Sequence, residues 1–351
     1  MSGFENSSIL VVGGAGFVGS NLVHMLLGHS PREIIIVDNL LSSDVANIPS
    51  DNRVRFVFGS ITDDSILAAL PEDLDYAFHL ACYHGNQSSI ANPMADHDNN
   101  TLTSLKLFDR LKDISQLKKV VYAAAACAVA EKTYADPSAT TEEQPVTLYH
   151  DSPYSISKII GELYGNYYYQ RYHLPFVKAR FSNVYGPREI LGAGQWRGTV
   201  HTVWRNVTPT FIWRSLNGEA LPLDNGGNTS RDFIFVEDMA RGLMACALNG
   251  QAGEVYNLAT GKETTILELA TLINEFTGNM TPLDLRPARD WDRSGKRFAS
   301  TEKATRELGF TAQTGIREGI ERTVVWTRTH AELISQNIVR HQKMMSQVSK
   351  Q

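Results

Sequence analysis

Five short apolar runs constrain this chain more than any other feature. Ser8–Val12, Glu33–Val37, Val54–Phe58, Tyr76–Ala81 and Lys119–Ala124 are rich in Ile, Val, Leu, Phe and Ala without strict polar alternation. A strand with one wet face alternates apolar and polar residues; a continuous run implies burial on both faces, as in a parallel sheet. Helical patterns separate the runs, among them Phe17–Gly28, Asp63–Leu70 and Asn100–Ile114. The repeating strand–helix–strand order predicts an α/β fold of Rossmann type, a doubly wound parallel sheet. A further helix is predicted over Pro153–Tyr172, with Ser152 as N-cap and Pro153 at the first helical position. A buried strand follows at Pro175–Phe181.

Beyond residue 185 the rhythm gives way to Gly-, Trp- and Pro-containing loops. Phe233–Val236 and Val255–Leu258 read as strands and Thr265–Phe276 as an amphipathic helix. The 351 residues therefore divide into a first domain over 1–185 and a smaller α/β substrate lobe over 186–351, some segments of which return to the first. After about Thr329 a polar helix is expected, with no evident role.

The net charge of −5 carries no electrostatic footprint for nucleic acid. Met1–Ser8 lacks the pattern of a secretory leader, and no run approaches the roughly 18 apolar residues of a membrane span. Cys82, Cys127 and Cys246 form neither a disulfide framework nor a metal spacing. A cytoplasmic protein with no metal site and no membrane association is expected.

Gly13-Gly14-Ala15-Gly16-Phe17-Val18-Gly19 lies between the first strand and the first helix. Glycines there allow a tight turn and close approach of a pyrophosphate, which the helix N-terminus attracts with free N–H groups. Asp38 closes the second strand, where a carboxylate can bind both ribose hydroxyls of an adenosine. The same charge repels a 2′-phosphate, and no Lys or Arg between Asp38 and Val45 would receive one. The cofactor is therefore NAD and not NADP. Asp63 reads equally as an adenine contact or as a helix-capping acid.

Tyr154 and Lys158 stand four apart on one face of the helix beginning at Pro153. A free phenol, with a pKa near about 10, is a poor base at neutral pH. An adjacent ammonium and a cationic nicotinamide favour the phenolate and bring it into working range.

These features, with His79-Leu80-Ala81, Arg180-Phe181-Ser182-Asn183-Val184-Tyr185-Gly186-Pro187 and Arg231-Asp232-Phe233-Ile234-Phe235-Val236-Glu237-Asp238, stand in an order that resembles a known family. It is the extended short-chain dehydrogenases/reductases of the NAD-dependent nucleotide-sugar epimerase/dehydratase group. The resemblance spans roughly residues 8–326. Tyr83-His84-Gly85-Asn86-Gln87, Gly192-Ala193-Gly194-Gln195-Trp196-Arg197-Gly198 and Ser294-Gly295-Lys296-Arg297-Phe298 look most like a bacterial branch making lipopolysaccharide O-antigen sugars.

The resemblance implies that NAD is held by Gly13, Gly16, Phe17, Val18, Gly19, Asp38 and Asn39. Ser60, Ile61, Leu80, Ala81, Cys82 and Asn100, with Tyr154 and Lys158, complete that set. It implies that His84, Asn86, Asn183, Arg197, Arg231 and Arg289 hold a nucleotide-sugar substrate, UDP-linked, with arginines meeting the diphosphate. Helices Asn100–Ile114 and Pro153–Tyr172 match the pair through which relatives form homodimers.

One departure stands out. Relatives carry Ser or Thr at the end of the fifth strand, bonding the sugar oxygen being oxidised; Ala125 occupies that place. Loss of such a donor commonly costs a few kcal/mol, roughly 10²-fold or more in rate. Another group then supplies the bond, or Cys127 contributes as an acid/base at C3 or C5, or the activity is reduced. Sugar 4,6-dehydratases place Asp-Glu immediately after the hydroxyl residue, whereas this chain has Ala126-Cys127. C4 epimerisation through a 4-keto intermediate is the leading expectation. A C3/C5 epimerase using Cys127 and a non-catalytic NAD- or nucleotide-sugar-binding protein are the alternatives.

Overall fold

In the computed structural model, residues 3–130, 133, 135–288 and 295–348 are described. β1 (Ser8–Val12), β2 (Glu33–Asp38), β3 (Val54–Phe58), β4 (Tyr76–His79), β5 (Lys119–Ala125), β6 (Phe176–Phe181) and β7 (Val255–Leu258) form one seven-stranded sheet. Its order is β7-β6-β5-β4-β1-β2-β3, and every pairing is parallel. The fold is a Rossmann-type doubly wound sheet.

The apolar runs sort by the two-residue period of a strand. Ile9, Val11, Ile34, Ile36, Phe78 and Val121 face one layer, where Leu22 and Leu26 of α1 (Phe17–Leu27) pack. Leu10, Val12, Ile35, Val37 and Val120 face the other, against Leu107, Phe108 and Leu111. Complete burial of each such side chain contributes about 1.5–3 kcal/mol, so the sheet centre supplies much of the core energy.

α2 (Asp64–Ala68) follows β3, and α3 (Thr103–Leu111) precedes β5. The predicted helix Asn100–Ile114 differs at both ends. A π-helical turn over His97–Leu102 feeds into α3, which stops at Leu111. β4 likewise ends at His79, two residues before the predicted limit, because Leu80 and Ala81 turn their amides to Val12. α4 spans Pro153–Tyr172 with Ser152 as N-cap, and its N-terminal turn stands beyond the C-terminal end of β5.

The second half interleaves with the first. α5 (Val207–Leu216), the strands Pro222–Asp224 and Phe233–Phe235, and α7 (Ile266–Thr277) build a separate core from Phe211, Ile212, Leu223, Phe235, Leu269 and Ile273. α6 (Val236–Asn249), by contrast, packs Leu243 and Met244 onto the same layer as α1, and β7 joins the main sheet. α8 (Ile316–Thr329) and α9 (Ala331–Val348) close the chain. The terminal polar helix is seated: Ile334 packs with Ile190, Leu191 and Ala193.

Candidate active site

The sheet order reverses between β1 and β4, and ligands of open parallel sheets bind beyond the strand ends at such a switch point. A cavity of about 740 Å³ lies there. Gly13, at φ +85°, starts the floor; a Cβ on it would sit 2.5 Å from the Ala81 amide nitrogen, so only glycine fits. Gly16 caps α1 with no side-chain bond, leaving the first helical amides, near Phe17 and Val18, open to an anion. Gly16, Phe17, Val18 and Gly19 all line the cavity.

Asp38 is buried at the end of β2. One carboxyl oxygen accepts from the Ala15 amide at 3.0 Å, the other from the Leu40 amide at 2.9 Å and the Ser43 hydroxyl at 2.8 Å. Burial raises its pKa despite these bonds. Asn39, Ser60, Ile61, Leu80, Ala81 and Cys82 line the same region. Asp63 does not; it caps α2 by accepting from the Ser65 amide.

Asn100 also stands back from the cavity. Its Oδ1 accepts from the Tyr83 amide at 2.7 Å, and its Nδ2 donates to Asp96 at 2.7 Å and to Ser157 Oγ at 3.3 Å. It ties the loop after β4 to α4 and reaches no cofactor surface itself.

Tyr154 and Lys158 both face the cavity from the first turns of α4. The Tyr154 amide donates to Ser89 Oγ at 3.1 Å, and Lys158 Nζ donates to the Ala123 carbonyl at 2.8 Å. The ammonium lies 5.8 Å from the centre of the Tyr154 ring. Burial drives the Tyr154 pKa well above its ordinary value, with Cys82, Cys127, Tyr122 and Asp96 adding to the effect. The residue is therefore a neutral phenol, and ionising it takes positive charge from beside the ring.

The sequence profile of the NAD dependent epimerase/dehydratase family matches residues 9–259. This chain belongs to that family. The Bordetella bronchiseptica enzyme WbmF, solved in complex with NAD+ and UDP, is 55% identical, with a TM-score of 0.91 over 99% of this chain and 100% of WbmF. A protein described as a putative UDP-glucose 4-epimerase from Methanocaldococcus jannaschii is 30% identical over 325 residues, covering 92% of this chain and 99% of its own. The dTDP-glucose 4,6-dehydratase of Streptomyces antibioticus is also 30% identical, over 332 residues and 92% of each chain. These two relatives, one described as an epimerase and one as a dehydratase, are equally identical to the chain, and the site has to separate the two activities.

The wall beside Tyr154 is bare at the end of β5. Ala123, Ala124, Ala125 and Ala126 present methyl groups, and Cys127, in a 3-10 turn after β5, adds a part-exposed thiol. His84 also lines the cavity, and its ring meets the Tyr154 ring edge-on, with 5.9 Å between centroids. Loss of water, then the charges of Arg205, Arg197 and Lys158, push its pKa down to about 3, so the imidazole is neutral.

The substrate side differs from expectation at one arginine. Arg197 is buried and does not line the cavity. Its guanidinium donates to the His84 carbonyl at 3.2 Å and lies 5.2 Å from the centre of the Tyr83 ring. It braces the loop carrying His84 and leaves no fork for a diphosphate. Asn86, Asn183 and Arg231 do line the cavity, although Arg231 also donates to the Ser230 and Gly295 carbonyls. Arg289 lies outside the described residues.

Sequence reasoning missed the wall formed by residues 189–208. Arg205 lines the cavity and donates to the carbonyls of Ser42, Ile190 and Ala193. Glu189 is buried there; one carboxyl oxygen accepts from the Asn206 amide group, and the other has no partner among the described residues. Burial pushes its pKa up to about 7. Because Asn206 is turned to Glu189, α5 starts without a side-chain cap, and Asn206, Val207 and Thr208 present its open end to the cavity. The only sequence signal was Asn at a helix start, which predicts the opposite role.

The Gly192–Gly198 segment links this wall to three elements. The Gly192 carbonyl accepts from His341 Nε2 of α9 at 2.9 Å. The Gln195 amide donates to the Leu41 carbonyl at 3.0 Å, beside the Asp38 loop, and Arg197 holds His84.

Proposed function

We propose that this protein is a nucleotide-sugar epimerase that inverts C4 of a UDP-linked sugar through a 4-keto intermediate. The observation that carries the reading is the pairing of Tyr154 and Lys158 at the cavity wall with no acid pair beside them among the described residues. Elimination across C5 and C6 needs a carboxylic acid and a carboxylate next to the reacting sugar, and Ala126 and Cys127 offer a methyl and a thiol. The residues present fit NAD: an open helix end for its pyrophosphate, Asp38 for its adenosine ribose, and Lys158 for its nicotinamide ribose. Bound NAD supplies the acceptor and donor of the C4 hydride.

Tyr154 takes the C4 hydroxyl proton on its phenolic oxygen and returns it after the keto sugar has turned. Lys158 stabilises the phenolate by charge. Asn183 and Arg231, with the open end of α5, hold the diphosphate while the sugar turns. Resemblance to the O-antigen branch supports a role in making surface-polysaccharide sugars in the cytoplasm.

Incubating purified protein with UDP-glucose, UDP-N-acetylglucosamine and UDP-glucuronate, and following the products by NMR, tests this. Inversion at C4 with NAD retained is expected; no inversion in the whole panel would sink the reading. A second reading, C3/C5 epimerisation, is favoured by Cys127 at the cavity wall. It requires solvent deuterium at C3 or C5 that disappears in Cys127→Ala.

The exposed apolar side chains of α4, namely Ile156, Leu163 and Tyr167, support a homodimer through this face. Leu163→Asp is then expected to convert a dimer to a monomer in light scattering.

A further inference from the structure

We propose that His84 supplies the hydrogen bond that Ala125 cannot, so that Tyr154 and His84 together hold the reacting oxygen of the sugar. The proposal rests on the keto-intermediate reading of the same cavity.

That oxygen begins as a hydroxyl and becomes a carbonyl. Tyr154 receives one proton, and a second group must bond the oxygen in both states or the developing charge is left unsupported. At the end of β5, Ala123–Cys127 offer the wall four methyls and a thiol, a weak donor. His84 is the strong hydrogen-bonding side chain whose ring meets Tyr154 from the cavity side. Neither of its ring nitrogens has a partner among the described residues, so one donor and one acceptor remain for a ligand.

Its protonation state suits the task. Arg205, Arg197 and Lys158 bring positive charge to the ring, and Tyr154 beside it is held as a neutral phenol by burial. A neutral imidazole carries one N–H and one bare nitrogen. It can donate its N–H to the hydroxyl oxygen and then to the carbonyl oxygen that replaces it, and neutral histidines are known to polarise carbonyls in this way. No bond to His84 is made or broken: the hydroxyl proton travels to Tyr154 and back, and the His84 N–H stays in place.

The backbone is built to hold the ring there. On one side the Tyr83 amide is fixed by Asn100 at 2.7 Å; on the other the His84 carbonyl is fixed by Arg197 at 3.2 Å. Gly85 then leaves at φ +105°, releasing the chain into the short helix Asn86–Ala91. Arg197 is thus a positioning residue for His84.

The test uses the full-length protein with NAD bound and compares wild type, His84→Ala, Ala125→Ser and the double variant. His84→Ala is expected to lower kcat about 100-fold while KM for the UDP-sugar changes less than about threefold. In the Ala125→Ser background the same change is expected to cost under about tenfold, because the new hydroxyl restores the family's own bond. A kcat within about threefold of wild type in His84→Ala, or an equal loss in both backgrounds, overturns the proposal. Ring-nitrogen NMR of His84 provides a readout independent of turnover. Signals that move with the UDP-sugar but not with UDP support the contact even if no C4 inversion occurs, in which case the C4 reading alone fails. Signals indifferent to the sugar overturn the His84 assignment.

Discussion

Lys158→Met removes a single charge from beside Tyr154, and its effect can be worked out from the geometry. With the phenolate charge placed at the ring centre, 5.8 Å from Nζ, and an effective dielectric of about 20, the interaction is about 3 kcal/mol. That corresponds to about two pKa units. The ammonium favours the phenolate, so its loss raises the Tyr154 pKa further above a value that burial already elevates. The base-dependent rate should fall about 100-fold near pH 7, with the gap closing as pH rises, because the ascending limb of the profile moves up by about two units. The measurement is kcat for sugar inversion from pH 6 to 10, with NAD content determined after denaturation, since Lys158 also faces the cofactor. A uniform loss at every pH, with the limb unmoved, would refute the electrostatic argument and leave Lys158 only a structural or cofactor-holding role.

Four further outcomes are expected. Asp38→Ala strands the Ala15 and Leu40 amides and should weaken NAD binding at least about tenfold while UDP affinity, by calorimetry, stays within about threefold. Gly192→Ala places a Cβ 2.7 Å from the Asn337 carbonyl at φ +74° and should destabilise the protein by about 2 kcal/mol or more in urea unfolding; an unchanged midpoint would mean that α9 is not seated as described. Glu189 keeps its proton in the folded state up to about pH 7, whereas the unfolded chain loses it near 4.5. Its contribution is therefore fully present below pH 4.5 and falls by about 3 kcal/mol as pH rises to 7, so Glu189→Gln should remove that part of the stability difference between pH 4.5 and 8. Leu163→Asp should lower the mass in light scattering from dimer to monomer.

The sheet was legible because its signal is local. β1, β2, β4 and β5 are buried on both faces, and such burial writes itself as a continuous apolar run; β3, at the sheet edge, leaves Arg55 and Phe58 exposed. The Ser152–Pro153 start of α4 was legible for the same reason, since cap and first-position proline sit within two residues of each other. The π-helical turn at His97–Leu102 was not, because that widening answers to packing on α4 and leaves no periodic trace of its own. A return of some later segments to the first domain was expected, but not that α6 and β7 are those segments, a long-range pairing that neither announces.

The site divides along the same line. Gly13, Asp38, Tyr154 and Lys158 act through their own backbone turn, strand end or helix face, and each occupies a cavity wall. Arginines do not disclose their targets in this way. Arg197 sits in a family-like motif yet is spent on the His84 carbonyl, while Arg205, in no motif, reaches the cavity and bonds three carbonyls on two loops. The guanidinium is long enough to serve either a ligand or the chain, and tertiary structure alone decides which. Ala125 illustrates the converse: the sequence exposes a missing hydroxyl, but the candidate to replace it stands against the Tyr154 ring, 41 positions earlier in the chain. If the Ala125→Ser background shelters His84→Ala, the family's hydroxyl and this chain's imidazole are alternative answers to one chemical demand. The activity then follows from the pair of groups around the sugar oxygen, and the identity of the fifth-strand residue is secondary.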